Sequence, residues 1–355
     1  MELSERKLKI LRAIISSYIQ EGEAVGSRTI SKKHNMGISS ATVRNEMSDL
    51  EELGYLIQPH TSAGRVPTDK AYRLYVNGLL KSTSVSKYSE QINRILQEEI
   101  NEMNSFIKNS ARILSNFTHY TAFAMTPQLK EAKLKHIQLV PVSDNKVLLV
   151  IVTENNIIKN VVFKLSSPIP QDQLNRISNL LTVKLSGVKL SMLNREMQNE
   201  ILREIYSIRE SFDEKLDELM VLLMNTANQY EKVELYYDGL TNILNYPEYS
   251  DTNKAKELLS FVEDRESFTK ALMNVEGKDL SILIGKENEF EQIKECSIVT
   301  ATYKLNGIII GKVGLIGPTR MDYKNVISMV KSLSFNINKL INENYTDTKR
   351  SEKDG

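Results

Sequence analysis

The chain has 355 residues, of which 41% are hydrophobic and 26% are charged, and its formal net charge is +1. These values are typical of a globular protein with two or three domains, and they exclude a low-complexity or strongly basic chain. The single cysteine, Cys296, excludes an intramolecular disulfide and is expected to be buried and inert in an apolar strand. The charged first turn is unlike a leader, and no apolar run approaches the roughly 18 residues that span a bilayer. We therefore expect a cytoplasmic protein with no membrane partner.

The first 80 residues have the pattern of a winged helix-turn-helix. A helix is predicted from Ser4 to about Gln20, and a second, short helix ends near His34. An Asn-Met-Gly turn follows, because Asn and Gly tolerate positive φ. Ser39 or Ser40 then caps a third helix, which Gly54 ends. Two short strands flank the loop 58–64, which we predict to form the wing.

The exposed side of the third helix carries hydrogen-bonding side chains of moderate length. The major groove accepts such a helix, because Arg can bind guanine and Asn can bind adenine. The candidate recognition residues are Ser39, Ser40, Thr42, Arg44, Asn45 and Ser48. The candidates for phosphate or wing contacts are Arg28, Lys32, Lys33, His60, Thr61, Ser62 and Arg65. Residues 24–45 contain basic but no acidic side chains, which favours a phosphate-facing surface, although helix-turn-helix shapes also occur in domains that bind nothing.

Helical patterns continue after the wing. Thr68 is predicted to cap a helix from Asp69 to about Leu80, and a polar linker follows. Residues 86–117 then carry apolar side chains at spacings of three and four. This pattern fits either a coiled-coil seam or a helix that lies along a domain, and the charges between the apolar positions do not decide.

The pattern next changes to strands, which we expect to form one antiparallel sheet. The three predicted strands are 136–142, 147–153 and 157–165, and a predicted helix follows at 171–185. The sheet is expected to resume near the C-terminus with the strands 280–284, 296–304 and 308–316, before a final helix from Asp322 to about Ile341. Asn306-Gly307 is a strong hairpin signal between the last two strands.

The mostly helical segment 194–277 separates the two halves of that predicted sheet. Its apolar stripe is too long to be buried within a small insert, which suggests association. The candidate dimerisation residues on this stripe are Ile205, Phe212, Leu216, Leu219 and Leu223. A brief strand at 233–237 and helices at 241–244 and 254–273 complete the segment.

Catalytic and metal-binding patterns are missing from the sequence. The four histidines have no ligand spacing, and the lone cysteine offers no zinc pair. The glycines of 311–317 match neither dinucleotide-binding nor P-loop patterns, and we expect them to relax a twisted strand. We therefore expect no enzyme activity, no cofactor and no metal.

Two stretches resemble a known family. The run GSRTISKKHNMGISSATVRNEMSDLEELGYLIQPHTSAGRVPTDKAYRLYV at 26–76 and the run GKVGLIGPTRMDY at 311–323 are similar to the bacterial heat-inducible transcription repressor HrcA family. The resemblance implies an α+β multidomain protein with a winged helix, a GAF-like antiparallel α/β domain and a mostly helical inserted dimerisation domain. The expected boundaries are 1–80 for the winged helix, 81–118 for the linker and connecting helix, 119–193 and 278–345 for the GAF-like domain, 194–277 for the insert and 346–355 for a frayed tail.

The same resemblance implies a function. It suggests a homodimeric repressor of chaperone genes that binds an inverted-repeat operator in double-stranded DNA. The activity of this repressor is maintained by the GroE chaperonin and is lost on heat stress. A metabolite-responsive regulator with an effector in the GAF-like domain is the alternative. In a third, weaker interpretation the helix-turn-helix is structural and the chain is an assembly scaffold.

Overall fold

The computed structural model describes residues 3–34, 36–60, 64–82, 89–97, 103–125, 133–154, 158–193, 196–197, 199, 203, 219, 221, 234–273, 279–305 and 307–346. The chain divides into two compact units. The first unit comprises Met1–Met125, Leu235–Tyr303 and Lys312–Ile337, and the second comprises Thr126–Glu234, Lys304–Gly311 and Asn338–Gly355.

The N-terminal part of the first unit is a winged helix-turn-helix, as predicted. Its elements in chain order are α1 (Glu5–Glu21), α2 (Ser27–Lys33), α3 (Ser40–Glu52), β1 (Leu56–Ile57), β2 (Val66–Pro67) and α4 (Asp69–Ser82). Ser39 is the N-cap of α3, where its side chain accepts a hydrogen bond from the amide of Thr42. Gly54 follows α3 with φ +75°, the left-handed conformation that suits a glycine at a helix end.

The base of the wing is held by backbone pairing and by a close backbone approach. β1 and β2 pair antiparallel, and Arg65 bridges Val25 through two backbone hydrogen bonds of 2.9 Å. A Cβ on Gly64 would lie 2.4 Å from the carbonyl of Val25, so no larger side chain fits there. The wing strands are therefore tied to the chain that leads into α2.

Two helices follow the winged helix, α5 (Ser89–Gln97) and α6 (Met103–Thr118). Ile92 and Leu96 of α5 and Phe106 of α6 are buried within the chain. The amide of Asn336 also donates to the carbonyl of Ser89 at 2.9 Å. These contacts favour helices that lie along a domain over a coiled-coil seam.

A five-stranded sheet follows, most of whose residues belong to the first unit, while residues 304–311 belong to the second. Its strands, in the order β7-β3-β10-β9-β8, have the bounds β3 Thr121–Met125, β7 Leu235–Asp238, β8 Leu280–Ile284, β9 Cys296–Leu305 and β10 Ile308–Pro318. The accompanying helices are α8 (Thr252–Glu263), α9 (Arg265–Met273) and α10 (Tyr323–Thr346), with 3-10 turns at Leu240–Asn245 and Pro247–Tyr249. Cys296 is buried in β9, and burial raises its thiol pKa to about 12, as expected for an inert residue.

The second unit contains a separate three-stranded sheet, so the prediction of one continuous sheet was wrong. Its strands and helix are β4 (Leu134–Ser143), β5 (Lys146–Thr153), β6 (Ile158–Lys164) and α7 (Gln171–Leu185). The hydroxyls of Ser178 and Thr182 on α7 accept hydrogen bonds from the backbone amides of Leu139 and Ile137, respectively. Since α7 satisfies this edge of β4, the edge is not open to strands from the C-terminal half.

The segment 126–234 lies between two strands that are hydrogen-bonded neighbours. Met125 at the end of β3 is paired with Leu235 at the start of β7. Residues after Leu235 return to the first unit, where Phe268 of α9 packs edge-on against Phe123 of β3, with ring centroids 5.5 Å apart. This grouping differs from the sequence-based division, which placed 235–273 in an insert.

The glycine-containing stretch 311–317 lies within β10, as predicted, but its glycines have a different role. A Cβ on Gly314 would lie 2.2 Å from the carbonyl oxygen of Val299, and one on Gly317 would lie 2.6 Å from the ring of Tyr120. Close packing against β9 and Tyr120, rather than relaxed twist, therefore requires glycine here.

Candidate nucleic-acid interface

The helix α3 separates its apolar and polar residues by helical spacing. Val43, Met47 and Leu50 are buried, whereas Arg44, Asn45 and Ser48 are exposed. Residues three and four apart lie on one helix face, so these three polar side chains are neighbours. The structure therefore brings together three of the predicted recognition residues.

The other three predicted recognition residues surround the start of α3. Ser39 accepts from the Thr42 amide at 3.1 Å, and the hydroxyls of the two residues lie 3.0 Å apart. Ser40 and Thr42 are half-buried. Ser39 and Thr42 thus serve the helix cap, and they position the exposed residues of α3.

Acidic side chains of α3 are neutralised from α1. Lys7 Nζ lies 2.8 Å from Glu46 Oε2 and 2.8 Å from Asp49 Oδ2. Hydrogen bonds to Asp49 and then Glu46 raise the pKa of Lys7, which keeps it cationic. The sequence gives no local sign of this pairing, because Lys7 lies on a different helix.

Two of the predicted phosphate contacts have carboxylate partners. Arg65 Nε donates to Glu51 Oε2 at 2.8 Å, and its side chain is only 20% exposed. Lys33 Nζ pairs with Glu21 Oε1 at 2.6 Å. Arg65 therefore connects the wing to the last turn of α3, and Lys33 connects α2 to α1.

The remaining phosphate candidates are Arg28, Lys32 and His60, which are exposed, and Thr61 and Ser62, which lie outside the described residues. Among the residues that the structure describes, the side chains of Arg28, Lys32, Arg44 and Asn45 have no ion-pair or hydrogen-bond partner. These four exposed side chains form the candidate interface: one arginine and one lysine on α2, and an arginine and an asparagine on α3.

His34, at the end of α2, has a hydrogen-bonding partner on α1. Its Nε2 lies 3.0 Å from the hydroxyl of Ser17, which is buried in α1. The contact fixes the end of α2 against α1 and leaves His34 as a structural residue.

Of the predicted dimerisation residues, Leu219 is described and the other four lie outside the described residues. Leu219 is 3% exposed, so the chain itself already covers this side chain. It does not offer surface to a partner.

Other kinds of site find little support in the described parts of the chain. No helix there is long and apolar enough to cross a membrane, and no three metal-ligating side chains are grouped together. A cleft of about 490 Å³ opens between α1 and α4, lined by apolar residues including Leu11, Ile15 and Leu74. It belongs to the winged helix and not to 119–193 or 278–345, the predicted GAF-like domain in which the metabolite-responsive alternative places its effector.

Two family models match the chain. One is described as the winged helix-turn-helix transcription repressor HrcA DNA-binding domain and matches residues 2–78. The other is described as the HrcA protein C-terminal domain and matches residues 104–327. Together they include the candidate interface and most of both units.

Similarity to relatives extends along nearly the whole chain. The heat-inducible transcription repressor HrcA of Alkaliphilus metalliredigens is 41% identical over 346 residues, which cover 97% of this chain and 100% of the relative. The protein of the same name from Clostridioides difficile is 42% identical over 343 residues, with 96% and 100% covered. A crystal structure titled a hypothetical protein, 23% identical, has a TM-score of 0.68 and covers 96% of this chain and 99% of its own. That last likeness concerns the fold alone.

Proposed function

Because the chain belongs to the HrcA family of heat-inducible transcription repressors, we propose that it represses chaperone genes by binding an inverted-repeat operator as a homodimer. The observation that carries this proposal is the exposed polar face of α3, with Arg44, Asn45 and Ser48 on a capped helix of a winged helix. Footprinting of the purified protein on chromosomal DNA tests it. Protection of an inverted repeat ahead of chaperone genes is the expected result, and protection without sequence preference would contradict it.

The geometry suggests how the bases are read. The N-terminal part of α3 enters the major groove, where the Arg44 guanidinium can donate twice to a guanine and the Asn45 amide can pair with an adenine. Ser39 and Thr42 hold the first turn in place. Arg65, paired with Glu51, holds the wing against α3 and so positions the wing backbone near the DNA.

Phosphate contacts are assigned to the exposed cations of α2. Replacing Lys32 with alanine is expected to make the slope of log K against log salt concentration less steep by about 0.9 per half-site, because one fewer counterion is released. Lys33→Ala is the matched control, since Lys33 is its neighbour but is paired with Glu21. The slopes are measured from operator binding at several salt concentrations. Equal changes in both variants would show that the Lys33 ion pair opens on DNA.

We further propose that 126–234 is the inserted dimerising domain and that the five-stranded sheet with its helices is the GAF-like domain. Support comes from chain order, because 126–234 leaves and re-enters between paired residues of β3 and β7. These boundaries replace the sequence-based division at 193 and 277.

The second unit also offers an apolar surface for a second copy. On the sheet face opposite Ile137 and Leu149, cross-strand rows join apolar side chains that are exposed or half-buried. They are Val140, Leu148, Val150, Val152, Ile158 and Val162. Ile158 is 62% exposed and Val162 is 55% exposed. The polar residues His136, Gln138 and Asn160 lie in the same rows. Exposed apolar side chains grouped with a few polar ones are typical of an interaction surface, and β6 at its margin adds a strand edge.

Charges on this face are expected to separate the dimer. The double variant Ile158→Lys and Val162→Lys leaves the interior of the unit intact, because both side chains are exposed. Sedimentation is expected to show monomers, and operator affinity is expected to fall by roughly 10²–10⁴-fold, the usual gain from joining two binding modules. Val183→Lys is the control, since Val183 is 76% exposed on α7 and away from this face. An intact dimer in the double variant would place the interface elsewhere.

Dependence on the GroE chaperonin is the last part of the proposal. A repressor kept active by a chaperonin must lose its native state readily, and two features favour such loss. The apolar sheet face gives association a route, and the strand pairing of β3 with β7 and β10 joins residues far apart in sequence, which slows refolding.

On warming, the operator-binding activity of the purified protein is therefore expected to decay, and added GroE is expected to restore it. Binding is measured across a warming and cooling cycle with and without the chaperonin. Full recovery without chaperonin would contradict this part of the proposal and would indicate a stable dimer whose affinity simply varies with temperature.

A further inference from the structure

Arg320, between β10 and α10, joins the winged helix to the five-stranded sheet. Its side chain is only 10% exposed. Nε donates to Glu248 Oε1, Nη1 donates to the carbonyl of Ile19 at 3.2 Å, and the guanidinium lies over the ring of Tyr246, with Cζ 5.8 Å from its centroid. Ile19 is in the last turn of α1, where carbonyls lack helical partners and a cation is favourable. One side chain therefore links three elements.

The surroundings of Arg320 are built closely around its guanidinium. A Cβ on Gly22 would lie 3.2 Å from Arg320 Cζ. Tyr246 is itself held by stacking on Tyr120, with ring centroids 5.3 Å apart and planes 9° from parallel. Among the described residues, Oε2 of Glu248 is buried without a hydrogen-bond partner, and Oε1 accepts from Arg320 Nε.

A second attachment joins α4 to the sheet. Asp69 Oδ2 accepts the backbone amide of Lys286 at 3.0 Å. Arg73 donates Nε to Glu287 Oε1 at 2.7 Å and Nη2 to the carbonyl of Ile282 at 2.7 Å. The Arg73 and Glu287 side chains are 30% and 35% exposed, so solvent weakens this pair more than the buried Arg320 contact.

The restraint on α1 passes directly to the recognition helix. Lys7 near the start of α1 is paired with Glu46 and Asp49 of α3. The end of α1 is fixed by Arg320 and its start is fixed to α3. A rotation of the winged helix against the sheet therefore has to break the Arg320 contacts.

We propose that Arg320 is a positioning residue for DNA binding, which sets the direction of α3 and so the half-site spacing that the dimer accepts. This inference rests on the proposed homodimer on an inverted repeat. A rigid attachment limits the dimer to operators of one spacing, and a loose attachment spreads the same binding over several spacings at a lower affinity for each.

The test uses full-length protein and the inverted repeat identified by footprinting. Two variants are compared with the wild type: Arg320→Lys, which keeps the charge but loses the planar fork, and Arg320→Gln with Glu248→Gln, which removes both charges. Affinity is measured for the native repeat, for repeats lengthened or shortened by one or two base pairs, and for a single half-site. Lys254→Gln is the control, because its ion pair with Glu295 lies in the same unit and does not involve the winged helix.

Both variants are expected to lose about ten- to hundredfold in affinity for the native repeat, part of the gain that joining two modules provides. They are also expected to bind altered spacings nearly as well as the native one, while single half-site affinity stays unchanged. A wild-type spacing preference in the variants would overturn the inference, and so would an equal loss on the single half-site, which indicates damaged folding. A wild-type protein without any spacing preference would instead defeat the homodimer proposal, and the role of Arg320 with it.

Discussion

Replacing Arg44 with alanine is expected to weaken operator binding by about 1–3 kcal/mol per half-site and to relax specificity at one base position of each half-site. The reason is geometric. Arg44 is exposed on α3, and the acidic residues nearest to it along the helix, Glu46 and Asp49, are paired with Lys7. Its guanidinium is therefore available for a guanine edge. Binding to the operator and to operators changed at each position measures the effect.

Arg44→Lys is the matched variant for this prediction. Lysine keeps the positive charge but lacks the planar fork, so a residue that pairs with a base loses discrimination, whereas a phosphate contact is largely preserved. Equal weakening of Arg44→Ala on all DNA sequences would assign Arg44 to the phosphates and leave base reading to Asn45 and Ser48.

Phe268→Ala is expected to lower the free energy of unfolding by about 3–5 kcal/mol, the usual effect of truncating a buried aromatic residue. Phe268 is fully buried and packs edge-on against Phe123 of β3 and Phe261 of α8, at 5.5 Å and 6.0 Å between ring centroids. Denaturant unfolding of the full chain measures the change. Since α9 covers the sheet that carries the winged helix, operator binding is expected to be lost at a lower denaturant concentration.

Phe335→Ala is the control for this change, because Phe335 lies on α10 but is 55% exposed. Its effect is expected to stay within about 0.5 kcal/mol. If Phe268→Ala lowers the free energy of unfolding by less than about 1 kcal/mol, α9 does not pack on the sheet as described. Residues 254–273 would then belong to the insert, as the sequence alone predicted.

Elements with strong local signals were predictable. The helix Gln171–Leu185 and the strand Leu280–Ile284 begin and end at the predicted residues. Pro170 before the helix marks the first boundary, and short Val- and Ile-rich or Leu- and Ile-rich runs mark the strands. The helix-turn-helix was equally clear, because Ser39, Gly54 and the apolar spacing of α3 all act within one short stretch.

Long-range features were not predictable in the same way. All five residues of β3 are buried, so the strand shows no alternation, and its neighbours β7 and β10 are far away in sequence. The ion pair of Arg65 with Glu51 was missed for the same reason. A basic residue beside the wing looks like a phosphate contact in the sequence, and only the folded chain shows the carboxylate next to it. A sequence pattern therefore predicts a cation that is available for phosphate only where the fold places no carboxylate beside that cation.

The position of 126–234 between β3 and β7 has a consequence for synthesis on the ribosome. β3 emerges first and has no described strand partner until that whole segment has been translated, about 5–20 s later at ordinary elongation rates. During this interval the strand Thr121–Met125, whose five residues are all buried in the folded chain, has both edges unpaired. On the proposal that GroE keeps the repressor active, each newly made molecule then depends on free chaperonin during its synthesis as well as during heat stress.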